Sequence, residues 1–408
     1  MKFDKRLRKL KLAWITNTLP SSLSTLYLER LLPIFLKSHE NYIFSNSQVE
    51  NDNGFAGSYH GMPVSSYLTF NPTQYDLVFF LLEDNIESSF VYDFSILFPG
   101  IRIFLDNTFN NLKFKKYSHY SNGIVYEQML INEGFNKAIK IGQYHMRGWS
   151  LEPYHRLYPL YFSPVNHGLN IITRPCFKSS SETDYVPFPI TGRNFTNTNS
   201  RFDNKNIERD SFEIIIFADS ELYDRPNLAE EVIEEINITG GKIKLSKYID
   251  HIDLTAAKFG LVLRTENQRG LPSGAIQAIE SGMPIVFLSH AKTEDYWGQL
   301  VIAPGLAEKE KLKAIIKILV EEPLLLSSLK NVLSDNIEQC SAEYIYQQLM
   351  ELVSTNLNEI TQQMKDCIAR GLRLQSEVVR SALDERVEFD LNGKNLSSEF
   401  ISRFALSV

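Results

Sequence analysis

Short unbroken runs of apolar residues alternate along this chain with stretches whose apolar positions recur at helical spacing. Leu12 to Thr16 reads as a strand, Ser21 or Ser22 is placed to cap an amphipathic helix reaching about Lys37, and Tyr42 to Phe44 reads as a second short strand. Residues 45 to 74 are polar and rich in Asn, Ser and Gly, which predicts a long loop. Tyr75 to Leu82 then returns as a buried strand, Ser88 to Leu97 as a helix, and Ile101 to Leu105 as a strand ending at Asp106. Strands and helices in that order predict a parallel sheet with helices on both faces, where ligands collect at the carboxyl ends of the strands. Asp106 stands at such an end, either facing a ligand or capping a helix.

The pattern breaks and restarts. Residues 192 to 210 are polar, charged and aperiodic, the mark of a linker, and Phe212 to Phe217 opens a second sheet that Lys242 to Leu245, Gly260 to Leu263 and Ile285 to Leu288 continue. Leu312 to Val320 and Ala342 to Leu352 read as the helices that complete it. Beyond residue 355, Ile360, Met364, Ile368 and Leu372 recur at helical spacing among many charges. The expected organisation is a first Rossmann-like domain over 1–191, a linker over 192–210, a second Rossmann-like domain over 211–355 and a helical tail over 356–408.

The stretch from Gly260 to Leu288 carries the most chemistry. Gly260 to Leu263 has the Leu and Val content of a strand covered on both faces. Gly270, Pro272 and Gly274 break it, and Ser273 is placed to cap a helix with Ile276 and Ile279 on one face. Gly282 and Pro284 stop that helix before Ile285 to Leu288. A helix opened by small residues offers backbone N–H groups and a positive dipole end, which suits a phosphate; a plain strand, turn and helix fits the same periodicity.

The string Thr265-x3-Arg269-Gly270-Leu271-Pro272-x4-Gln277-Ala278-Ile279-x2-Gly282-x-Pro284-Ile285-Val286 resembles the nucleotide-sugar loop of GT-B-fold glycosyltransferases, particularly the retaining family 4. The resemblance implies two doubly wound domains facing across a cleft, with Gly270, Ser273 and Gly274 at the donor. Both glutamates of the family's Glu-x7-Glu motif are replaced, by Arg269 and Gln277. Gln277 retains hydrogen-bonding capacity toward a ribose, whereas Arg269 offers only donors and favours an anion. Val91 to Leu112 resembles the family's acceptor-side helix, turn and strand, with Leu105 in place of its His and Asp106 retained, which makes Asp106 the candidate catalytic group. Leu19 to Ser24 occupies the place of its first loop, with Ser21 and Ser22 on the acceptor side and Leu23 replacing a glycine. Tyr185 to Ile190 is similar to the Pro-kinked exit from the first domain. After Phe212 to Phe217 the family places an Arg and a Lys for the donor diphosphate. Here Asp219 stands in the Arg position, and Arg225 is the nearest cation, a phosphate contact or a surface residue at a helix start. Arg264 is a third anion contact to consider. The tail resembles the family's C-terminal helix that crosses back to the first domain; a partner-binding helix is the alternative.

Composition narrows the partners. At 408 residues and 43% hydrophobic the chain is long enough for about two ordinary cores. A net charge of −7 gives no nucleic-acid-like excess of cations. Cys176, Cys340 and Cys367 are odd in number and far apart, suggesting neither disulfides nor zinc, and a reducing cytoplasm. No apolar run approaches the ~20 residues that span a bilayer. The basic start, Lys2, Lys5, Arg6, Arg8, Lys9 and Lys11, suits either a peripheral contact with an anionic membrane face or a solvated terminus. The eight histidines show no metal spacing, and Glu83-Asp84 and Asp250-x2-Asp253 are acidic pairs of a kind common in loops, so no metal and no cofactor beyond a nucleotide-sugar substrate is expected. Walker, Gly-x-Ser-x-Gly and Gly-x-Gly-x-x-Gly motifs are absent from the sequence. The expected function is transfer of a sugar from a nucleotide-activated donor to a glycan, lipid or protein acceptor, in cell-surface polysaccharide or glycoconjugate synthesis. A catalytically silent GT-B scaffold or binding subunit is the alternative.

Overall fold

The structure, a computed structural model, describes residues 9–19, 22–46, 58–59, 62–106, 109, 112, 168–173, 184–190, 212–218, 225–248, 257–263, 271–288, 299–303, 305–337 and 340–385. Two compact units divide the chain. The first holds residues 1–172, 180–184 and 346–408, and the second holds 173–179 and 185–345.

The first unit is built on an eight-stranded sheet in the order β3-β4-β2-β1-β5-β6-β7-β8. Its strands are β1 Lys11–Ile15, β2 Glu40–Ser45, β3 Ser58–Tyr59, β4 Met62–Ser66, β5 Leu77–Leu82, β6 Gly100–Phe104, β7 Gly168–Ile172 and β8 Asp184–Tyr185. From β4 through β7 the neighbours pair in parallel, and β3 runs antiparallel on β4 at the edge. Every residue of β5 is buried, which accounts for an apolar run without polar alternation. Helix α1, Leu23–Ser38, follows β1, with Ser22 as its N-cap: the Ser22 hydroxyl accepts from the Thr25 amide at 3.0 Å. Helix α2, Ser89–Leu97, precedes β6.

Residues 58–74 are not simply loop: they contain β3, β4 and two single 3-10 turns. The sequence MPVSS gave no strand signal because β4 is only half-buried in alternation, as a strand near a sheet edge is. The core around α1 is aromatic. Trp14 is fully buried, stacks on Phe79 at 4.3 Å between ring centroids, meets Phe35 edge-on at 5.0 Å and donates Nε1–H to Asn41 Oδ1 at 2.9 Å.

The second unit carries a five-stranded parallel sheet in the order β10-β9-β11-β12-β13. The strands are β9 Phe212–Ile216, β10 Ile243–Lys247, β11 Phe259–Leu263, β12 Ile285–Leu288 and β13 Leu300–Ile302. Its helices are α3 Pro226–Ile238, α4 Ser273–Glu280, α5 Glu308–Glu321 and α6 Pro323–Ile337. Alternate strand residues, Ile214 and Ile216, Phe259, Leu261 and Leu263, Val286 and Leu288, pack in one cluster with Val232, Ile233 and Ile236 of α3 and Leu312, Ile316 and Leu319 of α5. A period of two on the strands thus meets a period of 3.6 on the helices. The last helix, α7 Ala342–Glu385, is a single element where the sequence suggested two segments, and from Tyr346 onward it belongs to the first unit. There Tyr346 meets Phe35 edge-on at 4.9 Å, its hydroxyl lies 3.2 Å from His39 Nε2, and the Cys367 thiol donates to the Leu97 carbonyl at 3.4 Å.

Because Trp14 contributes both ring packing and a donor to Asn41 Oδ1, Trp14→Ala is expected to cost about 3–5 kcal/mol of unfolding free energy. Urea denaturation followed by circular dichroism measures it, and a loss below about 1 kcal/mol contradicts this packing.

Candidate functional site

In the second unit β9 lies between β10 and β11, so the chain leaves β9 toward one side and later returns on the other. Such a reversal opens a crevice at the carboxyl ends of the two strands, where doubly wound units bind ligands. Arg225 is fixed there. Its amide donates to the Leu263 carbonyl, at the end of β11, at 2.8 Å, and it precedes Pro226, the first residue of α3. Its guanidinium Nη1 is ion-paired with Glu308 Oε1, from the first turn of α5. The other Glu308 oxygen accepts from the Gly305 amide at 3.2 Å. The Arg225 side chain is 35% exposed and that of Glu308 17%. Nε and Nη2 of Arg225 have no partner among the described residues.

Helix α4 begins close by in the topology, since it follows β11. Its N-cap is Pro272, with no side-chain cap, so Ser273 is the first helical residue and not the cap expected of it. Proline's fixed φ suits the extended cap backbone, and its ring leaves the first helical amides without a side-chain acceptor. Gly274 is required by packing: a Cβ there would stand 2.4 Å from Cε1 of Tyr248. Tyr248 follows β10, donates its amide to the Ile216 carbonyl at 2.9 Å, packs its ring 5.2 Å from that of Phe217, and donates its hydroxyl to Gln277 Oε1 at 2.7 Å. Gln277 is exposed on α4 and held by that bond.

The first unit has the same reversal, at β1 between β2 and β5. Its crevice contains a carboxylate of the chain itself. Glu83 follows β5, is 9% exposed, and reaches the start of α1, where Oε1 accepts from the Leu23 amide at 3.2 Å and Oε2 accepts from the Ser24 amide at 3.3 Å and the Ser24 hydroxyl at 2.9 Å. Burial, then the neighbouring Asp106, pushes its carboxyl up to about 7, against the lowering effect of those hydrogen bonds. Asp106 itself is 3% exposed, and its Oδ2 accepts from the Asp84 amide in the loop after β5 at 2.7 Å. Asp84 Oδ1 accepts in turn from the Leu112 amide at 2.7 Å. Leu105 is buried and extends β6 by donating its amide to Leu82.

The structure therefore gathers Ser273, Gly274 and Gln277 on α4, places Arg225 at the end of β11, and sets Ser22 and Asp106 in the first unit. Ser21, Arg264, Arg269 and Gly270 lie outside the described residues, as do Asp219, Asp250, Asp253 and the linker 192–210. Tyr248 and Glu308 were missed by sequence reasoning, and Glu83 was read only as part of an acidic pair of a kind common in loops. Glu83 had a signal, since it follows a strand as Asp106 does; Tyr248 and Glu308 gave none that separates them from ordinary strand-end and helix-start residues. Among the described residues no cluster of His, Cys, Asp and Glu forms a metal site, and no helix is long and apolar enough to cross a membrane.

No protein-family model matches the chain, and no curated protein matches it in sequence. Among solved structures, Anabaena HepE in complex with UDP and glucose is similar at 12% identity, covering 85% of this chain and 100% of its own, with a TM-score of 0.51. WaaG, a glycosyltransferase involved in lipopolysaccharide biosynthesis, is similar at 10% identity over 84% of this chain and 99% of its own, with a TM-score of 0.48. The likeness to HepE, together with two sheets whose strand orders reverse beside their first strand, shows the GT-B fold.

Because the fold raises the Glu83 carboxyl from its ordinary 4.5 to about 7, the folded state holds that proton more tightly than the unfolded chain. The stabilisation from this group is complete below about pH 4.5 and is lost as pH rises through about 7. Glu83→Gln removes the titration. Its unfolding free energy relative to the parent should therefore rise by up to about 3 kcal/mol between pH 4.5 and pH 8, read from denaturant melts at several pH values. A difference independent of pH over that range contradicts the assignment.

Proposed function

We propose that the chain is a glycosyltransferase that moves a sugar from a nucleotide-activated donor, held by the second unit, to a glycan, lipid or protein acceptor. What supports it most is that the strands around the second unit's reversal lead to an uncapped helix start, to a guanidinium with a donor edge to spare, and to Gln277 held by Tyr248. Those groups match a ligand with a diphosphate and neighbouring hydroxyls. In transfer, the acceptor oxygen bonds to the anomeric carbon, the bond from that carbon to the diphosphate oxygen breaks, and the acceptor loses its proton. The leaving diphosphate gains negative charge, which Arg225 and the first amides of α4 stabilise from fixed positions. Arg264 and Arg269 follow β11 directly in sequence and are assigned to the same anion, Arg269 to the diphosphate or to a uronic carboxylate of the donor sugar. No metal is assigned, because cationic side chains and helix amides fill that role. A retaining outcome and a place in cell-surface glycan synthesis belong to the same reading, as does peripheral membrane contact through the basic N-terminus.

One observation favours a catalytically silent scaffold instead. The Leu23 and Ser24 amides, which would meet a ligand at the first unit's reversal, are taken by Glu83. Titration calorimetry against UDP, GDP, ADP, CDP and TDP and their sugar esters separates the two. The transferase reading expects one nucleotide family to bind, and Arg225→Ala to weaken it by about 1.5–3 kcal/mol. Binding of none moves the chain to the scaffold reading.

In the first unit Asp106 is assigned to hold the loop that faces the acceptor, through its bond to the Asp84 amide. Asp106→Asn keeps an acceptor for that amide and is expected to retain transfer. Asp106→Ala leaves the buried amide unpaired, at about 1–3 kcal/mol, and is expected to lose most activity. Equal loss in both variants, measured as sugar transfer at saturating donor, would assign the role to the charge instead.

A further inference from the structure

The Arg225–Glu308 pair places a fixed carboxylate beside a cation at the second unit's strand reversal. Both partners are anchored. Arg225 is tied through its backbone to Leu263, and Glu308 is held by the Gly305 amide and by its place in the first turn of α5. The pair is not needed to dock α5 on α3. Lys309 bridges Glu231 and Glu235 at 2.9 Å each, and Lys313 reaches Glu235 at 2.6 Å, while the apolar rows of both helices share one core. Glu308 therefore does something at the crevice that packing does not ask of it. It leaves Arg225 oriented, with Nε and Nη2 available, and cancels the net charge of the pair.

We propose that Glu308 sets the charge preference of this site, so that it selects a nucleotide-sugar over the free nucleoside diphosphate. This rests on the reading of the second unit as the donor site. In a nucleotide-sugar each phosphate is a diester or anhydride link with one charge. In the free diphosphate the terminal phosphate carries a second charge once pH exceeds about 6, the usual second ionisation of a phosphate ester. An anion gripped by Arg225 lies within a few ångströms of Glu308. At that separation one extra charge is repelled strongly enough to change affinity about tenfold, even with the high effective dielectric of a protein surface. The orienting effect of the pair is the same for both ligands, so only the repulsion discriminates. A site biased in this way takes up the donor and releases the product, whose extra charge appears when the bond to the sugar breaks.

Glu308→Gln tests this, because the amide oxygen still accepts from Arg225 while the charge is gone. Calorimetry on the parent and E308Q would use the pairs UDP and UDP-glucose, GDP and GDP-mannose, and ADP and ADP-glucose at pH 7.5 and low salt. E308Q is expected to tighten binding of the free diphosphate about tenfold and of the sugar ester no more than about threefold. Glu231→Gln, which removes a carboxylate of the α3–α5 pairs, should change neither. Should E308Q fail to fold, Glu308→Ala is read for the same ratio. An unchanged ratio, with binding still present, overturns the role of Glu308 and leaves the donor site standing. Absence of binding to parent and variant alike overturns the donor-site reading, and this inference with it.

Discussion

Each sheet begins in its middle. β1 and β9 are flanked on both sides by strands that come later, so the chain turns outward in one direction and must return in the other. In a parallel sheet every such departure leaves from the carboxyl end, and right-handed crossovers bring helix starts to that same end. Backbone amides of α1, α3 and α4, unsatisfied within their own helices, are thereby directed to the two reversals. The rest of the chemistry consists of what the chain puts in front of those amides. Apolar runs such as LVFFLL in β5 and FGLVL in β11 secure the arrangement by being buried throughout.

The two reversals are filled differently. In the first unit Glu83 supplies an anion from within the chain and joins the start of α1 to the end of β5, in a place too buried to leave the carboxylate at its ordinary acidity. Leu23, which stands where the family that the sequence resembles has a glycine, contributes one of the amides that Glu83 takes. In the second unit the start of α4 has no side-chain cap, and Arg225, at the end of β11, keeps an unused edge.

Much of this architecture was legible. The strands β5, β9, β11 and β12 declared themselves as short apolar runs, and Gly282, at φ 79°, with Pro284 marked the end of α4. What escaped was set by neighbours distant in sequence. β4 is a strand because β2 offers it a parallel partner, not because MPVSS favours one. Ser273 looked like a cap because the rule is local, while the preceding proline takes the cap position and leaves serine inside the first turn. Gly274 was noticed as a loop glycine that admits a phosphate. Its packing reason is the Tyr248 ring 26 residues earlier, as close as 2.4 Å to the Cβ it lacks. Arg225 was identified as a cation, but its partner Glu308 lies 83 residues away, and no local pattern joins them.

That last gap bears on how far a fold can carry a function. At 12% identity the likeness to HepE conveys the arrangement of strands and helices and nothing of the groups at their ends. Those groups have to be weighed by charge. The family that the sequence resembles has a glutamate pair that offers acceptors to sugar and ribose hydroxyls; this sequence has Arg269 and Gln277 in those positions, and Tyr248 already donates to the Gln277 oxygen. If the second unit holds the donor as proposed, the balance there has moved from acceptors to donors, with Glu308 as the counterweight. A site composed in that way would recognise its ligand chiefly by the ligand's negative charge and only secondarily by its hydroxyls. Such recognition is steep in charge and weak in shape, so under the proposal the number of charges on the phosphates is the property that discriminates between ligands.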